Sequence, residues 1–367
     1  MMAVNPLSIP KGTKLSCELC QKPARVMCTE CRVTYYCDGE HQHEDWVAIH
    51  EKICSMLSVL RSPQPHANSE SEREHRKQQQ ALRRRHIIDV CLQEAHRFLH
   101  EGLHQHAIPA ALEALKFLTE AYGSAHVEVT PAYLVLAEAT IGLNQLREAE
   151  QYLSQARWGV VRAPECEPGI KARLHRNLGQ LEAAKGDYTE AKKHFAEDIY
   201  QSSVAYSPTA IQTSGGYYHM GTVFLKEGNS DCAISLHDQA INIWFTHLSG
   251  LLSNLQEQER LKQQSSHIIK TESRSAPPPP PLSVAERAEA IHMLHSLQEM
   301  REHSGGVVSS TLYHTLALLH CVLGEADQGL VYAKKALQLA QASPHNKATT
   351  SSIEDLIQTL SQTKKIQ

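Results

Sequence analysis

The residues best able to do chemistry crowd into one short stretch. They form four pairs: Cys17-x2-Cys20, Cys28-x2-Cys31, Cys37-x3-His41 and His50-x3-Cys54. A C-x2-C pair can set both thiolates on one ion through a tight turn, and ligands four apart do the same along one face of a helix. Four such pairs are enough for two tetrahedral zinc sites. The chemistry of those sites turns on coordination: a structural zinc closes with four protein ligands, whereas a catalytic one keeps a position for water.

The rest of the chain has to position this cluster and do something besides. At 367 residues it can hold two to three domains and bury a substantial core. A formal charge of −4 gives no overall basic field, which disfavours a protein built to grip nucleic-acid phosphates. The N-terminal stretch MMAVNPLSIPKG lacks an apolar h-region, and no long apolar run follows, so the reading is an intracellular chain without signal peptide or membrane span. In a reducing compartment clustered cysteines read as metal ligands rather than disulfides. Cys91, Cys166, Cys232 and Cys321 stand apart and read as semi-buried packing residues.

Residues 55–86 are polar, a linker turning helical. Beyond them apolar residues recur at helical spacing and strand-like alternation is missing, so the body is all-α. Windows starting at residues 88, 130, 172 and 214 repeat the same small residues. Their eighth position holds Ala95, Ala137, Gly179 and Gly221, and their twentieth Ala107, Ala149, Ala191 and Ala233. The fifteenth holds Gly102, Asn144, Gly186 and Gly228, types that tolerate a left-handed turn between helices. The twenty-seventh holds Ala114, Ala156, Ala240 and, as a departure, Asp198. Small residues are required where antiparallel helices approach closely.

The segment 176–195, RNLGQLEAAKGDYTEAKKHF, resembles a tetratricopeptide repeat. The resemblance covers most of 88–343, giving four repeats over 88–255 and a fifth over 310–343. Between them lie a disordered Pro-rich insertion at 256–282, whose prolines 277–281 favour polyproline II, and an extra helix at 283–309. Residues 344–367 read as a C-terminal capping helix. The insertion reads as a linker, or as a docking peptide for a proline-recognising partner.

The cluster at 17–54, preceded by a tail at 1–16, resembles a MYND zinc finger. It shares the Tyr-Cys at Cys37 and the ending Gln42-x3-Trp46-x3-His50-x3-Cys54. The resemblance implies interleaved pairs: Cys17, Cys20, Cys37 and His41 on one zinc, and Cys28, Cys31, His50 and Cys54 on the other. It departs at His41, where the family usually has cysteine, though imidazole is an acceptable ligand. His43 is left to solvent. Both zinc ions would be structural, and a module this small needs them for stability. Trp46 is either packing over a short helix or, as the resemblance implies, one side with Gln42 of a groove for proline-containing peptides.

MYND fingers also occur inside SET-domain lysine methyltransferases, but the residues before Cys17 leave no room for that domain, and no phosphate-binding or nucleophile motif is present. The chain therefore reads as a non-enzyme. His96, His100 and His104 are spaced for a metal, yet Gly102 breaks their helix, and a solvated or capping role is expected. Arg83, Arg84 and Arg85, with Arg76 and Lys77, read as an exposed helix start rather than a nuclear-localisation or phosphate patch. As a whole the chain resembles MYND–tetratricopeptide proteins of motile cilia and sperm flagella. That resemblance implies a protein–protein scaffold partnered by other tetratricopeptide axonemal components and dynein-associated proteins. The alternative is a nuclear adaptor recruiting transcriptional regulators through the finger.

Overall fold

The computed structural model describes residues 5–6, 15–62, 69–266, 280–303, 309–342 and 347–363. Contacts divide the chain into two units, Met1–Asp187 and Tyr188–Gln367.

The first unit opens with three two-residue antiparallel strands in the order β1-β2-β3 (Asn5–Pro6, Val26–Met27, Tyr35–Tyr36). Part of the segment read as an N-terminal tail is thus paired into a sheet, Asn5 opposite Met27. Helix α1 (Gly39–Asp45) passes through a π-helical turn, Trp46–His50, into α2 (Glu51–Arg61). The finger's helix therefore continues beyond Cys54 into the stretch read as linker. Residues 63–68 of that linker lie outside the described residues.

Helix α3 (Glu70–His100) starts at Ser69, whose side chain accepts from the Glu72 amide, a Ser-x-x-Glu start. Antiparallel pairs follow: α3 with α4 (His104–Tyr122), then α5 (Thr130–Gly142) with α6 (Leu146–Val161). Helix α7 (Pro168–Lys185) packs on both α5 and α6. Ala95, Ala107, Ala114, Ala137, Ala149 and Ala156 are all fully buried at these helix contacts. Asn177, buried among them, donates to the Leu134 carbonyl at 2.6 Å.

The second unit holds α8 (Tyr188–Ala205), α9 (Ile211–Lys226), α10 (Ser230–Ser266), α11 (Val284–His303), α12 (Ser310–Val322), α13 (Ala326–Gln341) and α14 (Lys347–Thr363). Trp244, Leu248, Leu294, Leu316 and Ile353 join one core. Helix α10 does not stop at 255 as the sequence reading had it. Residues 256–266 are rich in Gln, Glu, Lys and Leu, good helix formers, and Glu257 and Arg260 pair at 2.7 Å one turn apart. Residues 267–279, with most of the proline run, lie outside the described residues.

The turn residues are where the repeat arithmetic meets backbone geometry. Gly102, Asn144, Gly186 and Gly228 all have positive φ, as does Gly324 in the last helix pair. Asn144, at φ 60°, is the one carrying a side chain, and asparagine pays less than most residues for that conformation. At Asp198 the larger side chain, fully buried, is accommodated by a glycine opposite. A Cβ on Gly216 would lie 2.9 Å from the Asp198 Oδ2.

Candidate metal centre

Two backbone knuckles set the cysteine pairs. In the first, the Gln21 amide donates to the Cys17 carbonyl at 3.1 Å; in the second, the Arg32 amide donates to the Cys28 carbonyl at 3.1 Å. Gln21 and Arg32 both adopt φ 59°, so each C-x2-C turn closes through a left-handed residue. The histidines come from helices. Asp38 caps α1 by accepting from the His41 amide at 2.9 Å, which puts His41 in the first turn just past Cys37. His50 ends the π-helical turn and Cys54 follows on α2.

These elements bring together Cys17, Cys20, Cys37 and His41 in one group, and Cys28, Cys31, His50 and Cys54 in another. Within each, the four ligand atoms lie within 4.8 Å of one another. Cys17 Sγ and Cys37 Sγ stand 3.5 and 3.0 Å from His41 Nδ1. Cys20 Sγ is 3.6 Å from Cys37 Sγ, and Cys31 Sγ is 3.6 Å from His50 Nε2. Zinc bonds of about 2.3 Å to sulfur and about 2.0–2.1 Å to nitrogen make tetrahedral edges of roughly 3.4–3.8 Å. All but the 3.0 Å contact fall in or close to that range, so both donor sets fit a four-coordinate zinc. His43 is exposed and outside both groups.

The thiols are shifted in both directions: burial raises Cys20, but hydrogen bonds outweigh it and leave that thiol lowered. Burial, and then the neighbouring Cys31 and Cys28, push the Cys54 thiol well up; burial first, then Asp38 and Cys20, pushes Cys37 up to about 12. Crowded thiols resist ionising together unless a cation joins them. Burial lowers His50 to about 4, leaving the neutral imidazole that a metal requires.

Sequence reasoning missed the residues behind the ligands. His50 uses Nε2 toward the cysteines, and its Nδ1 faces Asp45 Oδ2 at 3.8 Å. The Tyr36 hydroxyl donates to the same carboxylate oxygen at 2.6 Å. Thr34 Oγ1 lies 3.2 Å from Cys31 Sγ. A carboxylate behind a ligating histidine fixes ring orientation. The one sequence signal for it was an aspartate five before His50.

The finger also does not stand alone. Ile49, Ile53 and Leu57 belong to the same core as Ile87, Cys91, Ala110 and Phe117 of α3 and α4. Glu18, inside the first knuckle, accepts from Arg61 at 2.8 Å and Lys116 at 2.6 Å, and Arg61 reaches Glu113 at 2.7 Å. Lys52 pairs with Glu94. Nothing in the spacing of these charges marked them as a seam.

Gln42 and Trp46 sit differently from a fully open groove. Gln42 is 3 % exposed, on a helix that packs against α4. Trp46 is half-buried, its ring 5.6 Å from that of His50, and packs on the cysteine cluster. The three candidate histidines at 96, 100 and 104 join no ligand group among the described residues. His96 and His104 also differ from the solvated role expected of them. Arg173 donates to His96 at 2.7 Å, and the His104 ring fills the space where a Cβ on Gly142 would sit.

Residues 17–54 match the family model of the MYND finger. The two tetrads of this finger are consistent with two structural zinc ions. Among solved structures, one described as the functional characterization of Pseudomonas aeruginosa pilF aligns with 73% of this chain and 99% of its own, at 15% identity and a TM-score of 0.32. So low a score carries no argument about the repeats, whose helix-pair architecture rests on the geometry above. Among the described residues no helix is long and apolar enough to cross a membrane.

Proposed function

We propose that the chain is a non-catalytic protein–protein scaffold in which a double-zinc MYND finger and tetratricopeptide-like helices offer separate binding surfaces. The observation that carries this is the closure of both metal groups by four protein ligands, an arrangement that leaves no open position for a reacting water. MYND fingers and helical repeats of this kind typically bind proteins. In this reading Cys17, Cys20, Cys37 and His41 hold one zinc, and Cys28, Cys31, His50 and Cys54 hold the other. Purified chain that binds S-adenosylmethionine or methylates protein overturns the non-catalytic reading.

The order of finger and repeats resembles zinc finger MYND domain-containing protein 12, and on that resemblance we place the chain in the axoneme of motile cilia and sperm flagella. Its partners there are other tetratricopeptide axonemal components and dynein-associated proteins, with flagellar motility and assembly as the process served. Immunolocalisation in ciliated cells tests the placement: axonemal staining is expected, and exclusively nuclear staining favours the adaptor of transcriptional regulators instead. Affinity purification from ciliated tissue identifies the partners.

The groove at Gln42 and Trp46 is part of the same proposal. A proline-containing peptide would stack on Trp46, with Gln42 uncovered in the process. Titration of full-length chain with a proline-rich peptide tests it; Trp46→Ala should abolish binding, and unchanged binding removes the groove from the account.

A further inference from the structure

Helix α3 changes character along its length while keeping one face. Toward its C-terminus that face is Ile87, Cys91, Ala95 and Phe98, all buried. Continued toward the N-terminus at the same helical spacing, it becomes Arg73, Arg76, Lys77, Arg83 and Arg84. Residues 70–86 are exposed except for half-buried Arg76 and Gln80. Glu70, Glu72 and Glu74 flank Arg73, but from residue 75 to 86 there is no acidic side chain, although the chain as a whole is net negative. A stripe of cations roughly 17 Å long therefore projects from a helix whose other half anchors it in the core of the first unit.

We propose that this stripe is a docking surface for an acidic, extended segment of a partner protein. Five of the six cations from 73 to 85 are arginines, whose planar forks engage carboxylates in paired hydrogen bonds. Lys77 and Arg84 are two helical turns apart, so acidic residues about three apart on an extended chain meet them in register.

Other anionic partners fit less well. Leu82 is the only large apolar side chain exposed along the stripe, too little to insert into a lipid surface, which an interfacial helix achieves with an apolar face. No Phe, Tyr or Trp lies between 70 and 86 to stack on bases. The net charge of −4 opposes a long nucleic acid, which would sample much of the surface, whereas a short acidic segment touches the stripe alone.

The test uses zinc-loaded, full-length chain and a fluorescein-labelled peptide with glutamate at every third position among glycines, read by fluorescence anisotropy. Saturable binding that weakens steeply with added salt is expected. The triple variant Lys77→Gln, Arg83→Gln, Arg84→Gln should bind about tenfold more weakly, as the loss of three exposed ion pairs implies. Circular dichroism should show its helix content intact, since all three positions are exposed. Replacing Arg157 of α6 and Arg162 just beyond its end by Gln should leave binding unchanged. The proposal is overturned if the α3 variant binds like the parent or the α6 variant weakens equally. Tighter binding of a DNA duplex or of phosphatidylserine vesicles than of the peptide overturns it too.

Discussion

The finger and the helical pairs solve the same problem of holding a chain together with opposite materials. The finger's own core is largely Cys17, Cys28, Cys31 and Cys54 with Val26 and Tyr36, so four of the six residues in that cluster are metal ligands. The pairs α3–α4 and α5–α6 bury alanines where they meet and fill the gaps with leucine, phenylalanine and tyrosine. One region depends on a bound ion and the other on apolar area. The two regions nonetheless share a core. Ile49, Ile53 and Leu57 leave the metal cluster and enter the repeat core, so the finger acts as the N-terminal cap of the first helix pair, where a repeat array needs one.

Removing the metal breaks the comparison most severely. Structural zinc contributes about 10 to 16 kcal/mol of apparent binding energy in small modules. Chelation, or Cys28→Ser, should therefore unfold the finger. Because the core is shared, hydrogen exchange should rise in α3 and α4 as well, while α12 and α13 in the second unit stay protected. Protection of α3 and α4 unchanged by chelation would make the finger an independent module.

Cutting the seam without touching the metal is the next largest effect. Leu57 is 1 % exposed, and truncating a buried leucine to alanine costs about 2 to 5 kcal/mol. Leu57→Ala should lower the thermal stability of the first unit while the zinc content stays as in the parent.

Acid should loosen the second unit, which contains neither metal group. Burial depresses His237 and His314 to about 4, against about 6.5 in the unfolded chain. A base depressed in the folded state contributes stability in full above its unfolded value and loses it as pH falls toward the folded one. Each histidine should thus cost about 3 kcal/mol between pH 6.5 and 4. Denaturant melts of the chain carrying His314→Gln should show a shallower pH dependence in that window.

Smaller effects sharpen the picture. Glu18→Gln removes the charge shared by Arg61 and Lys116. A charge-assisted contact of this kind is worth about 2 kcal/mol, read as a lower midpoint in urea with zinc retained. Asn144→Ala forces a Cβ residue without a local hydrogen-bonding side chain to hold φ 60°, at a cost of about 1 kcal/mol; Asn144→Gly should not share that loss.

How legible each feature was follows from the same contrast. The ligand pairs could be read because metal chemistry restricts residue type and spacing at once. The helix turns could be read because positive φ restricts Gly102, Asn144, Gly186 and Gly228 to very few residue types. The docking of the finger could not. It depends on Ile53 and Leu57, which look like any amphipathic helix, and on Glu18, Arg61, Glu113 and Lys116, ordinary surface residues until folding brings them together. The end of α10 was misplaced because residues 256–266 lack apolar periodicity, though their helix propensity is high. Asp45 behind His50 was hidden for a related reason, since an aspartate on a helix has no spacing rule of its own.

The central claim is that two ions take the place of a hydrophobic core at the N-terminal end. Native mass spectrometry of the full-length chain, purified without added chelator, tests it most directly. Two zinc ions per chain are predicted, both lost together with the folded finger on acidification. A single ion would show that the Cys17, Cys20, Cys37 and His41 group does not hold metal, and a chain folded with none would contradict the account.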